Sequence, residues 1–404
     1  MKKLALIFTA TICFLSSCQK DLYDPEQAKQ NQKMTDLVIP ADFNWEMTQN
    51  VTSNLTSRAN TRVSVFTDSE CTNKIGEYTV YSEANEVPIV FNVPSALKEL
   101  YVQPQGQSAQ AVKIENGSIN QELIQTTTIR GGKNDDTEDI EEYDTFERQW
   151  YTVMFEDMFP KLGDYDFNDF VANYKYSTKW SSKNNPKLES ITIDVRINAI
   201  GGNLPYSPYL RIEGLNSANN ISSITPSEYV ERIRQGTDNG NGAGNKSITL
   251  KLKNLDFTPK PYEFINTQTD QSIKDPETIT ITIDFKNGGN NENQVGALDF
   301  DFFLANDNGI EIHKKGKKPV LKGNTYPTNI EGGEGNDFYS NEKNYIWAIE
   351  IPGEVHHAIE KADFLKAYTG FAKWAETGGV SNPEWYTGSV NTDLIIDLSN
   401  KWNE

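Results

Sequence analysis

The segment Phe155-Glu-Asp-Met-Phe-Pro-Lys-Leu-Gly-Asp-Tyr-Asp-Phe-Asn-Asp-Phe170 holds the densest set of oxygen donors in the chain. Asp164, Asp166 and Asn168 recur at every second position. In an extended segment they would share one face while Tyr165 and Phe167 take the other. Alternating carboxylate and amide oxygens suit a hard cation such as Ca2+, which takes about six to eight oxygen ligands. The offsets match the opening of a helix–loop–helix Ca2+ loop but not its continuation. Asp169 stands where that loop needs Gly, and Lys175 where it needs a bidentate Glu, so that loop type is rejected. A Ca2+ site on a β-sandwich loop, with Asp164, Asp166, Asn168 and Asp169 as ligands, survives. The competing reading is a tight turn whose Asx side chains satisfy backbone donors. Without a cation these carboxylates repel one another, and Glu156 and Asp157 add to the repulsion if the segment folds back.

A second acidic cluster comprises Asp299, Asp301, Asp307, Glu311 and His313. Asp299 and Asp301 share a strand face, Asn306 to Gly309 is a turn signal, and Glu311 and His313 again share a face. Glu plus His can ligate a transition metal, but such a site needs about three or four convergent ligands. His356 and His357 are sequence neighbours, which point apart in most conformations. No Gly-x-Ser-x-Gly elbow occurs, no phosphate-cradling glycine loop precedes a helix, and Cys71 has no evident His partner. A carboxylate pair for glycoside hydrolysis stays open, because it is recognised by a separation of about 5–9 Å that a sequence does not give.

The elements that must position these residues read as strands. From Leu37 to about Gln125, candidates at Arg62–Phe66, Glu77–Tyr81, Pro88–Val93, Glu99–Gln103 and Gln110–Ile114 recur at short spacing. Beyond Trp150, Ser190–Ala199, Thr278–Phe285 and Ile248–Leu252 alternate apolar and polar residues, as expected of two sheets around a shared core. Gly236 to Asn245 reads as a loop. A short helix is predicted within Ser227–Arg234. A longer one is predicted from about Glu360 to Glu376, with Phe364, Leu365, Tyr368, Phe371, Ala372 and Ala375 at helical spacing and Gly378-Gly379 as its stop. The predicted fold class is mainly β: an N-terminal Ig-like β-sandwich over 37–128, an acidic linker over 129–148, and a larger antiparallel, jelly-roll-like β-sandwich with a C-terminal helix over 149–404.

The chain of 404 residues carries 57 acidic against 38 basic side chains, a formal charge of −19. That balance argues against nucleic acid, whose binding needs clustered Lys and Arg. It leaves cations and neutral glycans open. Lys2-Lys3 and the apolar run Leu4–Leu15 have the layout of a secretion signal over 1–17 and are too short to span a bilayer. Leu15-Ser16-Ser17-Cys18 resembles the bacterial lipobox, with Cys18 as the lipidated residue, followed by a tether over 18–36. Lys20-Asp21 and Asp24 resemble the surface-export signals of Bacteroidota lipoproteins, which implies outer-membrane anchoring and surface display.

The acidic motif Phe155–Phe170 closely resembles the signature that opens the LruC domain of secreted bacterial lipoproteins. Ala199-Ile-Gly-Gly202, Gly309-Ile-Glu-Ile-His313, Tyr345-Ile-Trp-Ala348 and the closing stretch from Ala367 through Trp374 to Trp385-Tyr386 resemble later landmarks of that family, in order, so the resemblance covers about Trp150 to Gly388. Two departures stand out: Lys314-Lys315 follow the Glu-x-His strand where the family has an apolar residue and Pro, and Leu204-Pro205-Tyr206 fill the Gly-rich corner. The family implies no established activity. Its acidic motif is similar to those in Ca2+-linked β-sandwich domains of extracellular adhesion proteins. The expectation is a non-catalytic surface binding or adhesion module with a glycan or protein ligand. A carbohydrate-active hydrolase and a structural cell-surface subunit are the alternatives.

Overall fold

The computed structural model describes residues 32–82, 87–124, 143–181, 186–215, 220–233, 246–255, 264–289 and 294–402. The signal region, Cys18, most of the tether, linker residues 129–142 and the Gly236–Asn245 loop lie outside the described residues.

The protein is mainly β. Seven strands come first: β1 (Thr48–Ser57), β2 (Thr61–Phe66), β3 (Lys74–Val80), β4 (Ile89–Pro94), β5 (Glu99–Pro104), β6 (Gln110–Lys113) and β7 (Ser118–Leu123). Long strands follow at β8 (Tyr143–Phe155), β9 (Phe170–Ser181) and β10 (Leu188–Ile200), then β11 (Tyr206–Glu213), β12 (Ile221–Thr225), β13 (Val230–Ile233), β14 (Ile248–Leu252) and β15 (Ile279–Gly289). The last are β16 (Val295–Gly296), β17 (Asp299–Asn306), β18 (Glu311–Ile312), β19 (Ala348–Pro352), β20 (His357–Ala358) and β21 (Ile395–Ile396). Three short helices, α1 (Phe364–Ala367), α2 (Phe371–Glu376) and α3 (Trp385–Gly388), lie between β20 and β21.

One sheet runs β12-β15-β10-β9-β8-β3-β2-β5-β6, with β19 also on β8; another runs β13-β14-β11-β17-β18 and a third β16-β4-β1-β7. In β10 the inward set Ile191, Ile193, Val195 and Ile197 is buried, in antiparallel register with β15 and β9. Period-2 alternation is legible there because each sheet has one face on a core. Phe155 and Phe170 of the larger sheet meet Phe302 of β17 across that core, with ring centroids 6.2 and 6.1 Å apart.

Three expectations are corrected. First, the two sandwiches are not separate units joined by a linker. The first half of β8 pairs with β3 and the second half with β19, while β16 lies parallel to β4, so both regions share sheets. Residues 143–148, read as acidic linker, are strand, because Arg62 Nη1 sits 2.5 Å from Asp144 Oδ1 and removes the repulsion that marked them as linker. Second, Met34 and residues 37–47 belong to a second core with the helices rather than to a tether and the first sandwich. Trp45 stacks on Phe371 at 6.0 Å and its Nε1 donates to Asn344 O at 3.0 Å. Third, the expected helix over 360–376 is broken into α1 and α2: Tyr368 bridges to Val390, and Gly370 lets Trp385 approach, since a Cβ there would lie 3.1 Å from Trp385 Cβ. The described part of the expected helix at 227–234 is a turn leading into β13, whose partner is β14.

Candidate functional site

The acidic motif forms the connection between β8 and β9. It is not extended: Tyr165 and Phe167 have left-handed backbones (φ 58° and 53°) and sink into the second core, where Phe167 meets Phe364 at 5.2 Å and Tyr165 meets Tyr345 at 6.1 Å. Left-handed backbone is uncommon for aromatic residues and is held here by that packing. The alternation predicted for a strand therefore arises from a different backbone, but it still separates aromatic from carboxylate.

Glu156, at the end of β8, fills the inside of the loop. Its Oε1 accepts from Phe167 N at 2.7 Å and its Oε2 from Tyr165 N at 3.2 Å. Gly163 is required by this fit, because a Cβ built there would overlap Glu156 Oε2. Carboxylate oxygens of Glu156, Asp164 and Asp166 all lie within 4.8 Å of one another. Glu156 and Asp166 are buried and Asp164 is exposed, which leaves the cluster one open side. Asp166 is fixed by Lys361 N at 2.6 Å.

The remaining predicted ligands brace this loop. Asp169 Oδ2 accepts from Asp157 N at 2.8 Å, and Asp157 Oδ2 accepts from Leu204 N at 2.8 Å. Asn168 Nδ2 donates to Ala358 O at 3.1 Å, while its buried Oδ1 has no hydrogen-bond partner among the described residues and lies against Gly201. Gly201 and Gly202 both donate to Asp169 O at 3.0 Å, so the corner after β10 packs on the loop. Of the predicted set, Asp164 and Asp166 converge with Glu156, which was read only as a source of repulsion. Gly163, seven residues after Glu156, was the signal available for that role.

Among the described residues, no Lys, Arg or His side chain pairs with Glu156, Asp157, Asp164, Asp166 or Asp169. The electrostatic consequence is large. Burial, with Asp166 and Asp164 beside it, pushes the Glu156 carboxyl well above the usual range. Burial and Asp164 lift Asp166 to about 7. Burial, Glu156 and Asp157 raise Asp169, and burial raises Asp157. Glu360, beside the loop, is raised by burial and by Asp164 and Asp157 against the opposing Lys361. A divalent cation at the three convergent carboxylates would offset this repulsion, and the all-oxygen donor set fits Ca2+.

The second cluster resolves differently. His313 is fully buried with Nδ1 2.6 Å from Asp301 Oδ2 and Nε2 2.7 Å from Glu311 Oε2. Glu311 also accepts from Val320 N (2.8 Å), Leu321 N (2.9 Å) and Asn324 Nδ2 (2.9 Å). Each imidazole nitrogen needs a proton to donate to its carboxylate, so the arrangement selects the imidazolium. Burial alone would lower the His313 pKa, but Asp301 and Glu311 outweigh it and the net shift is upward. Neither nitrogen is left for a metal. Asp299 instead holds Lys317 Nζ at 2.7 Å, and Asp307 sits in the turn after β17. His356 and His357 do not converge either: His357 Nε2 is 2.6 Å from Asn266 O, and His356 faces Asp397 at 3.6 Å.

A cleft of about 480 Å³ lies between the two sandwich regions, lined by Asn50, Asn92, Arg148, Lys314, Glu350 and their neighbours. Glu350 is 2.5 Å from Arg148 Nη2 and 2.8 Å from Lys314 Nζ, and it accepts from the Tyr174 hydroxyl. Burial would raise its pKa, but the two cations outweigh that and hold it well below the usual carboxylate range.

The family model described as a domain of unknown function (DUF4842) matches residues 187–386. Among solved structures, the chain is similar to a protein classed as a lipoprotein from Bacteroides ovatus, with a TM-score of 0.56 and 18% identity. That match covers 84% of this chain and 100% of the other. At this identity the likeness establishes the fold. The BcpA major pilin subunit of Bacillus cereus is matched with a TM-score of 0.15 and 11% identity over 66% of this chain and 67% of that one, which carries no structural argument. No curated protein matches the chain. Among the described residues, no helix is long and apolar enough to cross a membrane.

Proposed function

We propose that the protein is a LruC-type, outer-membrane-anchored lipoprotein, displayed at the cell surface through Cys18, and a non-catalytic binding or adhesion module whose β8–β9 loop is stabilised by Ca2+. One observation carries the metal: carboxylate oxygens of Glu156, Asp164 and Asp166 lie within 4.8 Å of one another, with no side-chain cation among the described residues to balance them. Asp164 is exposed and supplies the open side by which an ion and its remaining water ligands enter. Glu156 and Asp166 are oriented by backbone N–H groups, so their free lone pairs face the ion position. The non-catalytic reading is supported by Glu350: at the cleft it is neutralised by Arg148 and Lys314, which suits a fixed structural charge better than a proton donor. The anchor rests on the lipobox resemblance at Leu15–Cys18.

Thermal unfolding of the full chain lacking only residues 1–17, with and without millimolar Ca2+, tests the metal. A ligand that binds only the folded state at ~100 times its Kd stabilises by ~2.7 kcal/mol. An unchanged Tm rejects the Ca2+ loop. Metabolic labelling with a fatty acid, compared between the wild type and Cys18→Ala, tests the anchor separately.

A further inference from the structure

A second recess, of about 470 Å³, opens beside β11 and β17 and is lined by Arg211, Glu213, Asp301, Lys317, Lys318 and Val320 among others. Arg211 and Asp301 are direct cross-strand partners. Asp301 is 1% exposed: its Oδ2 is engaged by His313, whereas its Oδ1 has no hydrogen-bond partner among the described residues. This carboxylate is not free to turn. His313 holds one oxygen, Glu311 holds His313, and the Val320 and Leu321 amides hold Glu311. The unmet oxygen is therefore a fixed acceptor, and a buried acceptor calls for a donor.

The wall has the opposite character. Its cations are Arg211, Lys317 and Lys318, and among the described residues Lys318 alone of the three has no carboxylate partner. Arg211 Nε is held by Glu213 at 2.6 Å and Lys317 Nζ by Asp299, while Lys318 is exposed, with its ammonium 5.8 Å from the Phe338 ring. A bare anion would meet Asp301 and Glu213 and be repelled. A neutral sugar would satisfy Asp301 and leave Lys318 unused. A ligand that combines hydroxyl donors with one carboxylate meets both demands.

We propose that this recess binds an acidic sugar unit, one ring hydroxyl donating to Asp301 Oδ1 and the sugar carboxylate facing Lys318 and Arg211. The volume falls within the range of small-ligand sites, ~300–1,000 Å³. The recess shares no lining residue with the β8–β9 loop, so binding is independent of Ca2+.

Saturation-transfer NMR on the full chain with D-glucuronate, and with D-glucose as the neutral control, tests this in Ca2+ and in EDTA. Transfer to glucuronate at millimolar ligand, little or none to glucose, and a Kd at least ~10-fold weaker in Lys318→Glu are expected, with no difference between Ca2+ and EDTA. Lys318 is exposed, so that variant folds as the parent does. Arg211→Gln is expected to weaken binding in the same direction, and Glu213→Gln to leave it unchanged or tighter. No transfer to glucuronate, equal transfer to glucose, or binding indifferent to Lys318→Glu overturns the proposal. Loss of transfer in EDTA overturns it as well, since it moves the ligand to the acidic loop.

Discussion

The β8–β9 loop and the Asp301–His313–Glu311 triad both gather carboxylates in the interior, and they balance them in opposite ways. The triad carries its own cation: an imidazolium between two carboxylates, one of them further held by two backbone amides and an Asn side chain. The loop has backbone donors but, among the described residues, no side-chain cation, and its carboxyls are raised by burial and by each other. A buried charge is tolerable when paired and costly when alone. The triad thus carries its counter-charge within the fold, whereas the loop needs an ion from solution.

The largest effect is expected from breaking the complete cluster. His313→Leu leaves two buried carboxylates facing each other, and removing one partner of a buried ion pair costs ~3–5 kcal/mol. Urea unfolding should show a midpoint shift of that size, with the Ca2+ response retained. A shift below ~1 kcal/mol would mean that the triad is not the ion network described.

Breaking the incomplete cluster comes next. Gly163→Ala places a methyl on Glu156 Oε2 and must displace that carboxylate. It should lower stability by ~1–3 kcal/mol in Ca2+, the usual scale of an overpacked site, and weaken Ca2+ binding. In EDTA the loss should be smaller, because one of the repelling carboxylates has moved away. Equal losses with and without Ca2+ would separate Gly163 from the ion site.

Two histidines sharpen the comparison through pH. His357 is buried with its pKa lowered to about 4, by burial first and by neighbouring His356 in addition. The folded state therefore binds fewer protons than the unfolded chain between about pH 6.5 and 4, and stability falls as pH falls through that window, by at most ~3 kcal/mol. His313 has the opposite sign. Its raised pKa contributes stability present below the unfolded value and lost as pH rises through the folded one. Asn in place of His357 should flatten the acid limb without touching the alkaline limb. An unchanged acid limb would contradict the assignment.

The smallest effect is expected at Asp144. Asp144→Asn removes the charge that Arg62 neutralises but leaves an amide able to accept, so a loss of ~1–2 kcal/mol is expected by calorimetry. No change would mean that the first half of β8 is held by its ladder alone.

How much of this was legible follows from how local each cause is. The alternation of β10 and β15 could be read because burial on one face writes itself into every second residue. The break between α1 and α2 could not, because its cause is Trp385 packing on Gly370 from fifteen residues away. Tyr143–Arg148 looked like a charged linker because Arg62, the partner that makes Asp144 a strand residue, lies some eighty positions upstream. The same holds for the site. Asp164 and Asp166 are apparent from their spacing, whereas Glu156 joins them only when left-handed turns at Tyr165 and Phe167 aim two amides at it. His313 looked like half of a metal site because Asp301, twelve residues before it, is brought onto its second nitrogen only by the β17–β18 turn.

Isothermal titration of Ca2+ into the full chain lacking only residues 1–17, beside its Glu156→Gln variant, tests the central claim most directly. The account predicts saturable binding in the parent, with a rise in Tm, and loss of most of that affinity in the variant. No binding heat and no Tm change in the parent at millimolar Ca2+, or identical titrations of the two proteins, would contradict it.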